Sequence, residues 1–231
     1  MKKKAALTKP DTPGAIQTVE LLQRRWLSKY AFEIELTRPP GLEFKAGQTI
    51  CFIHESMKRY YSLISTPDDP TLVFCIYHVA QGKFSPVLAD ARIGSPFHVS
   101  GPYGYFTFSP SKRAPIFIAT GTGVAPFVSF ARSGVTDYAL LHQAISADEL
   151  YYRSYFQKNT PKYFPCLVAP PITESRSSNL FYGKISECIR KNLRPGSYDF
   201  YLCGEREMIQ DVTLLVDEIY PESRLYTEVF F

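Results

Sequence analysis

Three short stretches of this sequence gather residues able to hold phosphate groups and a flat ring. The first is Arg59-Tyr60-Tyr61-Ser62. A guanidinium can grip a phosphate through two parallel N–H groups, Tyr61 offers a face for stacking, and Ser62 offers a hydroxyl. The second is Gly82-Lys83-Phe84-Ser85-Pro86. Successive backbone N–H groups in such a turn can wrap an anion, although the same residues would also make a plain hairpin turn. The third is Gly121-Thr122-Gly123, set between an apolar run and a helical run that opens at Pro126. Glycines there let a nucleotide approach the backbone closely, and the helix start offers unpaired N–H groups to phosphate. Pro126 replaces the last glycine of G-x-G-x-x-G, and a turn followed by an early-helix proline would look the same. Other chemistries lack their residues. His54, His78, His98 and His142 have no metal-ligand spacing, G-x-S-x-G is absent, and the five cysteines include no C-x-x-C pair. Neither a hydrolase nor a metalloenzyme is expected.

The elements that must position these stretches fall into two styles. Residues 32–36 alternate apolar and polar side chains, as a half-buried strand should, and 48–53, 72–79 and 96–99 are further extended runs. Turn chemistry separates them: Pro39-Pro40-Gly41, Asp68-Asp69-Pro70 and Gly101-Pro102-Tyr103-Gly104. This spacing predicts an N-terminal antiparallel β-barrel. Beyond it, short apolar strands at 115–119, 138–141, 166–169 and 200–203 alternate with helical runs at 126–132, 147–157, 184–192 and 208–219. That alternation predicts a parallel sheet with helices on its faces. The expected division is therefore 1–110 for the barrel and 111–231 for a C-terminal α/β nucleotide-binding domain.

Composition narrows the class further. With 45% hydrophobic residues, 15% aromatics and a net charge of +4, the chain is not a disordered one. No Lys/Arg block accompanies the mild basicity, so nucleic acid is not an expected partner. The small basic groups Arg24-Arg25, Lys112-Arg113 and Arg190-Lys191 read either as ordinary surface or as a docking face for an acidic partner. Five scattered cysteines, an odd number, suit a reducing compartment. The apolar run after Lys2-Lys3-Lys4 ends at Thr8-Lys9-Pro10, too early for a secretory leader. Residues 114–131 carry no charge, but Pro115, Gly121, Gly123 and Pro126 interrupt them, which favours a buried strand, turn and helix over a membrane span. A cytoplasmic setting is expected.

Six separated motifs then point in one direction. They are Arg59-x-Tyr61-Ser62, Gly82-Lys83-x-Ser85-Pro86-x-Leu88, Ala119-Thr120-Gly121-Thr122-Gly123-x-x-Pro126, Ser175-Arg176, Leu202-Cys203-Gly204-x-x-x-Met208 and the terminal Glu228-Val229-Phe230-Phe231. In this order they resemble the ferredoxin–NADP reductase family, closest to its compact bacterial ferredoxin/flavodoxin–NADP reductases. The resemblance implies a flavin-dependent oxidoreductase with FAD on the barrel and NADP on the second domain. By it, Arg59 pairs with the flavin pyrophosphate, Tyr61 stacks on the isoalloxazine and Ser62 bonds near flavin N5. The amides of Gly82, Lys83, Phe84 and Ser85 hold the pyrophosphate, and Tyr77 is either a further flavin contact or ordinary barrel packing.

By the same resemblance, Gly121, Thr122 and Gly123 cradle the NADP pyrophosphate, while Ser175 and Arg176 take its 2′-phosphate. Cys203 stands beside the nicotinamide, with Gly204 and Met208 completing its motif. Glu228 manages proton or charge, Phe230 covers the flavin until nicotinamide displaces it, and Phe231 lies against the FAD adenine. Ser62, Cys203 and Glu228 are thus the catalytic candidates. Relatives often carry Arg at the position of Ile145 and Pro at that of Glu205. Lacking cluster ligands of its own, such an enzyme passes electrons to an acidic carrier, ferredoxin or flavodoxin, and is expected to act as a monomer. Two other readings stay open here: an NAD(P)H-dependent flavin or ferric reductase with a small-molecule acceptor, and a non-catalytic nucleotide-binding module.

Overall fold

Alternating side chains lay down the interior of the first domain. The computed structural model describes residues 14–168 and 179–230. Its first six strands are β1 (Gln17–Trp26), β2 (Ala31–Thr37), β3 (Thr49–His54), β4 (Met57–Ser62), β5 (Thr71–Tyr77) and β6 (Pro96–Tyr103). They lie in the order β4-β3-β6-β1-β2-β5, each antiparallel to its neighbours. The two edges meet where Leu63 bridges Phe74 and the Ile64 N–H donates to the Val73 carbonyl at 2.9 Å, closing a barrel. Val19, Leu21, Ile34, Leu36, Phe52 and Phe74 fill it. The Gly82 turn does not join two strands. It leads into helix α1 (Ser85–Asp90), whose Leu88 and Ala89 pack into the same core.

The second domain is a six-stranded parallel sheet. Strands β7 (Ala114–Thr120), β8 (Ala139–Ala144), β9 (Tyr163–Leu167), β10 (Phe181–Tyr182), β11 (Tyr198–Gly204) and β12 (Arg224–Val229) lie in the order β10-β9-β8-β7-β11-β12. Helices α2 (Ala125–Arg132) and α3 (Arg153–Asn159) contribute to the core on one face, and α4 (Ile185–Asn192) and α5 (Arg206–Ile219) to that on the other. Because both faces are covered, the strands read as continuous apolar runs: Phe117 and Tyr201 point to one core, Ile116 and Phe200 to the other. The chain leaves β7 toward β8 but later returns on the opposite side as β11. A ligand crevice belongs at such a reversal, outside the carboxyl ends of β7 and β11. Residues 114–131 form β7, a 3-10 turn and α2, and among the described residues no helix is long and apolar enough to cross a membrane.

Several boundaries differ from the sequence expectation. The predicted strand at 166–169 sits earlier, at Tyr163–Leu167. Pro165 is tolerated there because β10 pairs only with Cys166 and Leu167. The helix expected over 147–157 is split into a 3-10 turn at Ala147–Glu149 and α3, with Tyr152 between them at φ 58°. Its break has a cause in the other domain. Tyr151 and Ser28 share a hydrogen bond of 3.1 Å, and the Tyr152 hydroxyl donates to Glu33 Oε2 at 2.6 Å. Both tyrosines are thereby turned toward the barrel.

The domains share a core. Ala31, Ile64, Cys75 and Phe106 join Phe117, Val124, Phe127, Phe130 and Tyr201 in one buried cluster. Polar contacts pin its rim: Ser129 Oγ donates to the Ser65 carbonyl at 2.6 Å, and Glu33, which accepts from Tyr152, is held from within the barrel by Arg25 at 3.0 Å. Removing the Tyr152 hydroxyl leaves Glu33 Oε2 without its donor from the second domain. Tyr152→Phe is expected to lower unfolding stability by about 1–2 kcal/mol. Chemical denaturation measures it, and an unmoved midpoint would show that this pin holds nothing.

Candidate active site

Three elements end at one carboxylate. Ser62 is the last residue of β4 on the barrel, Cys203 the penultimate residue of β11, and Glu228 its Cα partner on β12. Ser62 Oγ donates to Glu228 Oε2 at 2.9 Å, and Cys203 Sγ lies 4.0 Å from that same oxygen. Ser62 and Cys203 are buried, and Glu228 is half-buried. Burial pushes the Glu228 carboxyl up to about 7, against the pull of the Ser62 hydroxyl, which favours the ionised form. Burial, and then the Glu228 charge, holds the Cys203 thiol well above its usual range, so it stays protonated. The carboxyl can therefore hold or release a proton near neutrality, beside a thiol that does not ionise.

The crevice wall behind it is built by close approach. A Cβ on Gly123 would run into the Cys203 carbonyl, and one on Gly204, at φ 139°, into Thr120 Oγ1. Thr120 Oγ1 accepts the Glu205 N–H at 2.8 Å, and the Phe230 N–H donates to the Gly204 carbonyl at 2.8 Å. The β7 and β11 loops are thus packed backbone to backbone, and the Phe230 ring lies half-buried against the shared core. Thr120 has a holding role that the spacing of the glycines did not reveal. Its only signal was its place ahead of Gly121.

On the barrel side, Arg59 is exposed and faces no carboxylate among the described residues; its guanidinium donates to the neighbouring Lys58 carbonyl at 2.8 Å. Tyr61 is half-buried, with its ring edge-on to Phe52 at 5.4 Å and 6.3 Å from Phe84, and burial raises its hydroxyl to about 12. Phe84 is buried, Lys83 is exposed, and Ser85 Oγ accepts the Val79 N–H at 2.9 Å, tying the turn together. Tyr77 is not interior packing: it is 45% exposed and stacks on Tyr30 at 6.3 Å. Burial, then Glu149, Tyr30 and Glu205, raise its hydroxyl. Met208 is buried among the side chains of α4, α5 and the sheet, in the core rather than at the crevice. Ser175, Arg176 and Phe231 lie outside the described residues. Ile145, just past β8, is 72% exposed.

Two family models match the chain: an oxidoreductase FAD-binding domain over residues 22–108 and an oxidoreductase NAD-binding domain over residues 117–213. Together they define a flavin- and dinucleotide-binding oxidoreductase. The chain is similar to ferredoxin–NADP reductase B of Sorangium cellulosum, 34% identical over 130 residues. That match covers 53% of each chain, about half the relative's length. A flavodoxin/ferredoxin–NADP reductase of Shigella flexneri is 27% identical over 194 residues, 74% of this chain and 78% of that one. Among solved structures, a ferredoxin NADP+ reductase from Neisseria gonorrhoeae with bound FAD and NADP superposes with a TM-score of 0.81 at 21% identity. It covers 94% of this chain and 99% of its own, a likeness of fold. The chain belongs to the oxidoreductases that join an FAD-binding domain to an NAD-binding domain, and it is similar to ferredoxin–NADP reductases.

Glu228 makes stability depend on pH in a stated direction. A carboxyl whose folded pKa, about 7, exceeds its ordinary 4.5 binds more protons folded than unfolded between those values. Stability therefore falls as pH rises through that window. Glu228→Gln is expected to match the parent near pH 4.5 and to exceed it by about 1–3 kcal/mol at pH 8. Denaturation across this range measures the gap, and a gap independent of pH would contradict the burial of this charge.

Proposed function

We propose that this chain is a flavin-dependent reductase that moves hydride between NADPH and FAD and passes single electrons between FAD and ferredoxin or flavodoxin. The observation that supports it most is the meeting of Ser62 and Cys203, from two domains, at one oxygen of Glu228. FAD, when bound, accepts two electrons together and returns them singly, which a nicotinamide cannot do. The barrel fits such a group: among the described residues Arg59 has a guanidinium that meets no carboxylate, and Tyr61 has a ring two residues on along the same strand. In this reading Arg59 holds the FAD pyrophosphate with the amides of residues 82–85, Tyr61 supports the ring, and Ser62 donates toward its reactive edge. Phe230 shields the crevice side until a nicotinamide takes its place.

The second domain orients the dinucleotide. Gly121, Thr122 and Gly123 receive its diphosphate, and Cys203 lies at the end of β11 where the nicotinamide would reach the barrel. Glu228 keeps or releases a proton at its carboxyl and, together with the buried thiol, restricts water at that point. For NADPH over NADH the reading relies on Arg176, because the exposed Ile145 brings no charge. The family relationship and the absence of any cluster-ligand spacing support an acidic protein carrier as the one-electron partner, since charge complementarity speeds encounter.

Anaerobic titration of the purified protein with NADPH, followed by flavin absorbance, tests this. Bleaching by NADPH at lower concentration than NADH is expected. Failure to bind FAD at all would overturn the reading, and a preference for NADH would overturn its NADPH part. In the same assay Cys203→Ala should slow flavin reduction about 10-fold or more with FAD still bound. Unchanged kinetics in that variant would remove Cys203 from the site.

A further inference from the structure

We propose that His142 is the positioning residue of the diphosphate cradle: it holds the Gly121 carbonyl inward so that the next amide faces the crevice. This rests on the dinucleotide reading above and names the device that would shape its binding loop. His142 lies on β8 beneath the loop, with Ala119 of β7 as its Cα partner, and no part of it reaches solvent. Its Nε2 is 3.1 Å from the Gly121 carbonyl oxygen, and its Nδ1 is 3.4 Å from the Tyr163 hydroxyl. A carbonyl can only accept, so Nε2 carries the ring's proton and Nδ1 is left to accept from Tyr163. Burial keeps the imidazole neutral, pushing its pKa down to about 4, and the Gly121 carbonyl offsets this only in part. Burial also raises the Tyr163 hydroxyl, which stays a donor. The chain Tyr163 O–H to His142 N–H to Gly121 carbonyl is thus directional.

The consequence follows from peptide geometry. Among the described residues the only cis peptide is Gly101-Pro102, so the Gly121–Thr122 bond is trans, with its N–H antiparallel to its C=O. A carbonyl drawn toward the buried imidazole turns the Thr122 N–H the opposite way, toward the carboxyl ends of the strands. That amide precedes the first bond of the 3-10 turn Gly121–Val124 and has no acceptor within it. Gly121 itself sits at φ 49°, with nothing within 4 Å of where a Cβ would stand. Its glycine answers a backbone requirement rather than a crowded one, and a buried hydrogen bond that fixes this left-handed residue accounts for a histidine in an apolar strand.

Two amide variants separate positioning from packing. Gln places its N–H₂ near the Nε2 position, whereas the Asn amide falls a methylene short of the Gly121 carbonyl. Calorimetric titration of the FAD-loaded protein with NADP+ and with adenosine 2′-monophosphate, which lacks the diphosphate, gives a readout independent of turnover. H142N is expected to weaken NADP+ binding about 10-fold while leaving adenosine 2′-monophosphate within about twofold, the loss of one buried hydrogen bond. H142Q should stay within about threefold for both. In turnover the H142N effect should fall on KM for NADPH and spare kcat. Equal losses in H142N and H142Q, or losses for both ligands alike, would overturn the positioning role. Should the parent protein itself fail to bind NADP+, the dinucleotide reading falls and takes this inference with it. If H142N does not fold, Tyr163→Phe serves in its place, because it frees the imidazole tautomer; unchanged NADP+ affinity there would also overturn the role.

Discussion

Phe106 leaves the barrel and enters the second domain. Its ring lies 5.9 Å from Phe127, 5.9 Å from Phe130 and 6.0 Å from Tyr201, and Phe117 stacks behind on Phe127 at 4.8 Å. A buried aromatic side chain contributes about 2–3 kcal/mol from area alone, whereas a polar pin at the rim contributes about 1 kcal/mol. The aromatic layer therefore holds the domains together. It is non-directional, however, and would tolerate rotation about itself. The rim bonds from Ser129, Tyr151 and Tyr152 choose one orientation among those that the layer permits.

That orientation decides what can meet at the crevice. Cys203 belongs to the shared core at one end of its strand and to the Glu228 site at the same point. Ser62 stands at the end of a barrel strand, one residue before Leu63 and the bridge that closes the barrel. The barrel seam and the carboxyl ends of β11 and β12 are thus brought to a single place. Linker contacts reinforce this: the Ser109 N–H donates to the Tyr201 hydroxyl at 3.1 Å, and Ser111 bonds Asp199 at the start of the same strand. Packing, closure and the reacting groups form one continuous arrangement rather than separate features.

Both architectures were legible in the sequence, because turn residues and strand–helix alternation each leave a periodic mark. β1 was not, and its reason is visible. A register shift between Leu21 and Gln23 breaks the alternation, exposing Leu22 beside the buried Leu21. β12 was missed because its residues are all partly exposed along one edge of the sheet, with no buried stripe to read. The interrupted helix near Tyr152 was beyond local reading, since its cause lies in Glu33 on another domain. At the site, motif resemblance named Ser62, Cys203 and Glu228 one by one, but their sharing of a single oxygen is a property of the packed domains. Met208 shows the opposite failure. It belongs to the motif and yet serves the core.

The 2.9 Å bond from Ser62 to Glu228 crosses between domains, and it favours the charged carboxylate. A contact that lowers a proton affinity must itself be strengthened when that proton leaves, because the two equilibria share one cycle. Proton release at Glu228 therefore strengthens this one bond, which offsets only part of what burying the charge costs the fold.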